Sequence, residues 1–333
     1  MKDKPVLVSV TKRKIQIILG FLWLLDGLLQ LQSQMFTANF ANNVISPNLQ
    51  GEPVVITSPI HLAIKLILLH PAIFNVLVII IQIGIGLMIL MKKTVKPGLI
   101  LSIIWGLGVW FFGESLGGII GLHSTVLMGF PGAVLIYMII AFAVFPSKEN
   151  DKRPASWLPI AWALLWVAGS IYQLLPGQNT SSDLSSMILN NSTNAPSWLA
   201  RIDVHTSNTI NRLAHLPSSS TMHMTAMQMS HMQSQSSSNN YIVLLLIIVQ
   251  ILIGLLIFFR GKVRTIAIVS GFILSLFFWV VGQGLGNYFS GLATDPNSAP
   301  LYILLGISIF GCSQIELKKL LKITFARLEQ IIT

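Results

Sequence analysis

Charge is what this chain has least of. Only 11 of its 333 residues are Asp or Glu, and charged residues together make up 10% of the sequence. That is too few to solvate the surface of an ordinary soluble domain. A single cysteine, Cys312, excludes an internal disulfide framework. There is no Walker loop, no glycine fingerprint for a dinucleotide, no His-Glu-x-x-His pair and no nucleophile elbow. Paired histidines at helix depth, which a b-type haem needs, are missing as well. The sequence therefore assigns no catalytic group; it leans toward a protein that is not an enzyme and leaves the question open.

What the chain does have is apolar. Hydrophobic residues make up 53% of it and the mean hydropathy is +0.74, which places it in a bilayer. Eight apolar runs are legible: Ile15–Leu31, Ile73–Met91, Leu99–Ile120, Ala133–Phe145, Trp157–Leu175, Tyr241–Phe259, Ile266–Phe289 and Leu301–Cys312. A crossing helix needs roughly 20 apolar residues; six runs meet or approach that, and the fourth and eighth are short. The expected fold is all-α, a polytopic transmembrane bundle of about eight helices.

The spans fall into two sets because the chain repeats itself. Trp110-Phe-Phe-Gly113-Glu114-Ser-Leu-Gly117-Gly118 returns as Trp279-Val-Val-Gly282-Gln283-Gly-Leu-Gly286-Asn287. Upstream, Gln82-Ile-Gly-Ile-Gly86 answers Gln250-Ile-Leu-Ile-Gly254, and Trp23 with Gln30 answers Trp166 with Gln173. Four spans per copy is an even number, so the copies are expected to be parallel four-helix repeats. The first occupies 1–150 and the second 151–315, with an insertion near 218–240 and an amphipathic cytoplasmic tail at 316–333.

Of the 21 Lys and Arg residues, all but Lys65, Arg201 and Arg212 fall on one predicted side. The positive-inside rule then puts both termini of a multi-pass cell-membrane protein in the cytoplasm. The net charge of +10 follows from that bias. No basic face interleaved with aromatics accompanies it, so the expected partners are the lipid bilayer and other subunits of a membrane complex, not nucleic acid.

Several residues stand out against this background. Gly113-x-x-x-Gly117 and Gly282-x-x-x-Gly286 carry the spacing of small residues one turn apart, which lets helices approach closely. The motif reads either as such a contact face or as a site. Its acidic position is Glu114 in one copy and Gln283 in the other, and Asp26 is answered by Gly169. At 1.5 Å per residue, Asp26 lies roughly 17 Å along its span and Glu114 about 23 Å along the third. Acids at such depth suggest a function, or else protonated groups bonded to a neighbouring helix. Gln82 and Gln250 complete the intramembrane polar set.

All seven histidines fall on the predicted outer side. The densest part is Met222-His223-Met224-Thr-Ala-Met227-Gln-Met229-Ser-His231-Met232, five Met and two His within eleven residues. Thioether and imidazole together favour copper, above all Cu(I). Gln173 and Gln250 are 77 residues apart and Gln30 and Gln82 only 52, so the tract has the length of an insertion. Ser58–Leu69 and Pro196–Ile202 read as matching segments at the outer interface.

Leu19-Gly-Phe-Leu-Trp-Leu-Leu-Asp-Gly27 and Gln82-Ile-Gly-Ile-Gly-Leu-Met-Ile-Leu90 resemble the four-span unit of the DoxX/DoxD superfamily. The Trp110–Gly118 motif is similar to that of a group of bacterial eight-span membrane proteins whose chemistry is not established. The DoxD branch implies a membrane subunit passing electrons from thiosulfate to quinone, although no quinone or thiosulfate residue is reproduced here. Read from its residues, the chain is expected to be a non-enzymatic membrane component that captures copper at its outer face, beside a respiratory or copper enzyme complex. A quinone-linked redox subunit, with Asp26 and Glu114 handling protons, and a scaffold subunit both stay open.

Overall fold

A computed structural model describes residues 10–146, 152–192, 195–214 and 240–310, and every regular element among them is a helix. In chain order these are α1 (Lys12–Leu29), α2 (Val54–Leu69), α3 (Pro71–Leu90), α4 (Val95–Phe112), α5 (Ala133–Ala143), α6 (Leu158–Tyr172), α7 (Ser181–Ser192), α8 (Ser197–Leu213), α9 (Tyr241–Leu255), α10 (Lys262–Val281) and α11 (Ser298–Phe310). Each of the eight apolar runs contains a helix. Four helical stretches are long and apolar enough to cross a membrane: Pro71–Leu90, Val95–Phe112, Tyr241–Phe258 and Lys262–Val281. Helix α1 reaches 18 residues but carries Lys12, Arg13, Lys14 and Asp26, while α5, α6 and α11 are shorter than a full crossing.

The two halves pack alike. In the first, α1 lies along α3, α3 along α4, and α4 along α5; in the second, α6, α9, α10 and α11 repeat that order of contacts. Helices α5 and α11 meet between the halves. The centre is aromatic. Trp23 stacks on Tyr137 at 4.9 Å between ring centroids, and Trp166 on Tyr302 at 5.1 Å. Edge-tilted pairs of this kind add to the burial of large rings. Trp23 donates to Ser102 Oγ at 2.9 Å, and Trp162 to the Ile253 carbonyl at 3.0 Å. On the outside, α3, α9 and α10 present Leu77, Ile80, Leu245, Ile248, Ile266 and Ile273 to the surroundings. Apolar residues outward and aromatic residues inward is the arrangement a lipid solvent favours.

Basic residues meet helix C-termini at one end. Arg13 donates to the Ile89 carbonyl at 3.0 Å and also to that of Leu90, while Arg264 reaches the Ile309 carbonyl at 3.4 Å. A guanidinium satisfies carbonyls left free by the last helical turn and opposes the negative end of the dipole. At the opposite end two caps cover the bundle. One is α2, which buries Ile56, Ile60, Ile64 and Ile67 against Met35, Phe40 and Ile45 of the preceding segment. The other is the α7–α8 hairpin, whose Leu184, Ile188 and Ile210 join the main core. Helix α2 matches the expected Ser58–Leu69 segment and α8 extends the expected Pro196–Ile202 segment. Helix α7 has no counterpart in the sequence reading, because its Ser- and Asn-rich stretch carries little apolar signal.

The third and seventh apolar runs are shorter as helices than as sequence. Helix α4 stops at Phe112 and α10 at Val281, and a 310 turn follows each, at Ser115–Gly118 and Gly284–Asn287. Within those turns Leu116, Gly117, Leu285 and Gly286 all adopt left-handed backbone angles, with φ of 57°, 65°, 55° and 68°. Gly113 and Gly282 are the residues just past the helix ends. The expected helical faces Gly113/Gly117 and Gly282/Gly286 are therefore not continuous helix. The four glycines break the helix, and Gly117 does so against Pro131, whose carbonyl oxygen would lie 1.9 Å from any Cβ added there.

Candidate ligand cavity

The duplicated motif builds a clamp for the helix that follows it. Trp110 Nε1 donates to the Pro131 carbonyl at 2.9 Å, and Trp279 Nε1 to the Pro296 carbonyl at 2.8 Å. One residue past each helix-ending glycine, Glu114 accepts from Val134 N at 3.2 Å, and Gln283 Oε1 from Ala299 N at 3.0 Å. These amides belong to the first turns of α5 and α11, whose N–H groups have no partner within the helix. The carboxylate or amide is the cap, and the indole anchors the loop leading to it. Gly132 completes the first clamp: a Cβ there would sit 2.3 Å from Glu114 Oε2, and its φ is +94°. The motif's Trp and its Glu/Gln position are thus accounted for by loop anchoring and helix capping before any ligand is considered.

The halves differ in what fills the space beside each clamp. In the second half the space is occupied by the loop between the Ser115–Gly118 turn and α5. Val126 and Phe130 lie over Gly169, where a Cβ would come within 2.2 Å of Val126 Cγ2. Gln283 Nε2 donates to the Val126 carbonyl at 3.1 Å and Tyr302 to the Phe130 carbonyl at 3.1 Å. The reciprocal loop, between the Gly284–Asn287 turn and α11, crosses to the first half, where Gln32 Nε2 donates to the Ala293 carbonyl at 2.9 Å. It does not fill the space there. A cavity of about 950 Å³ remains, lined by Asp26, Gln30, Gln82 and Glu114 of the first half and by Thr294, Asp295 and Asn297 of the crossing loop.

This cavity brings together residues that the sequence set apart. Asp26 on α1 and Glu114 after α4 both line it, as does Gln82 on α3. Asp26 is 2% exposed and its Oδ1 has no hydrogen-bond partner; the same holds for the Oε1 atoms of Gln30 and Gln82 and for Trp105 Nε1. Glu114 and Asp295 both act electrostatically on Asp26. The Tyr137 hydroxyl faces the same carboxyl without closing a hydrogen bond of ordinary geometry, unlike Tyr302, which has the Phe130 carbonyl. Asp295 is held by its own loop, accepting from Thr294 Oγ1 and from Asn297 N, each at 2.7 Å. The walls are apolar and aromatic, with Trp23, Phe40, Phe74, Trp105 and Phe112 among them.

Two predicted polar residues lie elsewhere. Gln283 is the cap described above, and Gln250 is fully buried in α9 with neither amide atom partnered. The predicted copper ligands Met222, His223, Met224, Met227, Met229, His231 and Met232 lie outside the described residues, as do Cys312 and the tail. Among the described residues no three His, Cys, Asp or Glu side chains gather closely enough to hold a metal ion. Of the cavity residues, Asp295 and Trp105 were not anticipated. Asp295 lies 269 positions from Asp26 in a polar loop, and only the crossing brings the two together. Comparison of the chain with family models, with curated proteins and with solved structures finds no match.

Proposed function

We propose that the protein is a multi-pass cell-membrane component that binds a small molecule in its first half without transforming it. The eight apolar helices are read as spans forming two parallel four-helix repeats, with both termini cytoplasmic. The matching clamps, ring pairs and packing order of the two halves support the duplication. The bias of Lys and Arg supports the orientation. Cysteines introduced at Lys93, Lys152 and Lys262 are expected to stay unlabelled by an impermeant thiol reagent in intact cells, and cysteines at Ser219 and Ser237 to react. Labelling at Lys152 from outside rules this topology out.

One observation carries the binding reading: of two equivalent places, one is plugged by Val126 and Phe130, while the other is open and is lined by Asp26, a buried acid with an unpartnered oxygen whose counterpart in the plugged half is Gly169. Buried polar groups without partners cost free energy and persist where a ligand or water satisfies them. Helix α4 supplies the test. Gly108 lines the cavity, and a Cβ there meets nothing within 4 Å. Gly108→Phe should therefore block the space while favouring the helix by no more than about 0.5 kcal/mol. The purified wild type is expected to bind the neutral fluorophore N-phenyl-1-naphthylamine, and Gly108→Phe to lose that binding at unchanged thermal stability. Equal binding by the two proteins rejects the cavity as the site.

A quinone-linked subunit of DoxD type is the second reading, favoured by the placement of the Asp26 carboxyl beside the Tyr137 hydroxyl, two groups able to exchange a proton. The outer Met/His tract is proposed to capture copper independently of the cavity. A Cu(I) competition titration on the tract peptide is expected to show binding that disappears when its five Met are replaced by Leu, and equal affinities remove the copper role.

A further inference from the structure

The cavity has a chemical bias, and from it we infer that its ligand is a hydrophobic organic cation, a quaternary or protonated amine carrying aromatic or alkyl groups. The inference rests on the binding reading above and gives it a ligand class.

Three carboxyl groups, Asp26, Glu114 and Asp295, line the space, and none of the described lining residues is Lys or Arg. The one lining histidine, His123, stands at the rim with its Nε2 3.8 Å from Glu52 Oε1. Asp26 is nearly fully buried and lines the cavity, its carboxyl lies beside the Tyr137 hydroxyl, and its Oδ1 has no hydrogen-bond partner of ordinary geometry. A buried carboxylate without a counter-charge is costly, and a bound cation removes that cost. Glu114 and Asp295 line the same space, so acidic groups of both halves face a ligand bound beside Asp26. An anion meets only repulsion, and a neutral molecule leaves the charge uncompensated.

The walls decide which cation. A hydrated metal ion keeps its water shell between itself and the rings of Trp23, Trp105 and Phe40, and a bare ammonium brings no apolar area to bury, whereas an organic cation gains burial and cation–π attraction together. The mouth agrees. Among the exposed lining residues are apolar Leu66 and Phe112 and polar Asn48 and Gln50, a mixture that suits an amphiphilic cation. The second half supplies an internal control. It has Gly169 for Asp26 and Gln283 for Glu114, and there the space is filled by Val126 and Phe130. The acids occur where the space is open.

The test uses two ions of the same shape and opposite charge on the full chain in detergent. Tetraphenylphosphonium is expected to displace N-phenyl-1-naphthylamine from the wild type at concentrations about tenfold or more below those needed with tetraphenylborate. Gly108→Phe gives the background partition of both ions into the micelle. Asp26→Asn is expected to reduce the preference for tetraphenylphosphonium over tetraphenylborate by about tenfold or more, a ratio that any general change in binding leaves unmoved. Where Asp26→Asn does not yield a monodisperse protein, Glu114→Gln takes its place, since glutamine already serves as the cap at position 283. If both ions displace the probe equally, or the acid-to-amide change leaves that preference unaffected, the cation inference falls and the binding reading stands. If the neutral probe binds wild type and Gly108→Phe alike, both fall.

Discussion

Gly117→Ala is expected to leave no folded protein to purify. A methyl group at this position would lie 1.9 Å from the Pro131 carbonyl oxygen and 2.2 Å from its carbon, and both are backbone atoms that no rotamer change can move. The φ of +65° adds a cost of about 1 kcal/mol or more for any residue with a Cβ. Relief requires moving the loop that carries Pro131, which is held by Trp110 and leads into the turn capped by Glu114. The loss is therefore that of the whole clamp. Gly84→Ala is the control: it lies inside α3, and its Cβ would meet nothing within 4 Å, so it should be neutral or slightly stabilising. Yield after extraction and the size-exclusion profile measure both variants. A Gly117→Ala protein that elutes and melts like wild type overturns this account of the helix break.

The second large effect is expected from Gln283→Leu. Gln283 is 3% exposed and makes three hydrogen bonds, donating to the Val126 carbonyl and Ser298 Oγ and accepting from Ala299 N. Leucine fits the volume and strands a carbonyl and an amide in an apolar interior. At about 1–3 kcal/mol for each buried group left unpaired, the loss is roughly 2–6 kcal/mol, enough to unfold a marginal membrane domain. Glu114→Gln at the matching position is expected to shift the melting temperature little, because the amide oxygen still caps Val134. Thermal unfolding of the two variants side by side decides it. Similar destabilisation by both would mean that the charge of Glu114, and not its capping geometry, supports the first clamp.

The helical class and the places of the eight apolar helices were legible in the sequence, because apolar composition and its interruption by Lys and Arg determine both. The internal duplication was legible too, and it led to Asp26 and Glu114 through their mismatched partners Gly169 and Gln283. The helix breaks were not. Gly-x-x-x-Gly spacing in an apolar run has the periodicity of a packing face, and only backbone angles distinguish that from a turn. The cluster Gly113, Gly117, Gly118 and Gly121 was the available sign, since so many glycines in nine residues disfavour a helix. The third carboxyl was out of reach for another reason. Asp295 enters the cavity through a contact between halves, and neither hydropathy nor repeat alignment reports which half a loop lies against.

That exchange of loops sets an order on how the molecule can be made. Synthesis runs from the N-terminus, so α1 to α5 leave the ribosome before α6, α10 and α11 exist. During that interval Val126, Leu127 and Phe130 have no Gly169, Gly282 or Tyr302 to settle against, and Gln32 has no Ala293 carbonyl to hold. The first half can assemble its helices but not its lining, and the second half cannot close without a piece already synthesised. Each half is thus the last folding step of the other. A gene split between them would have to supply both fragments to one membrane at one time.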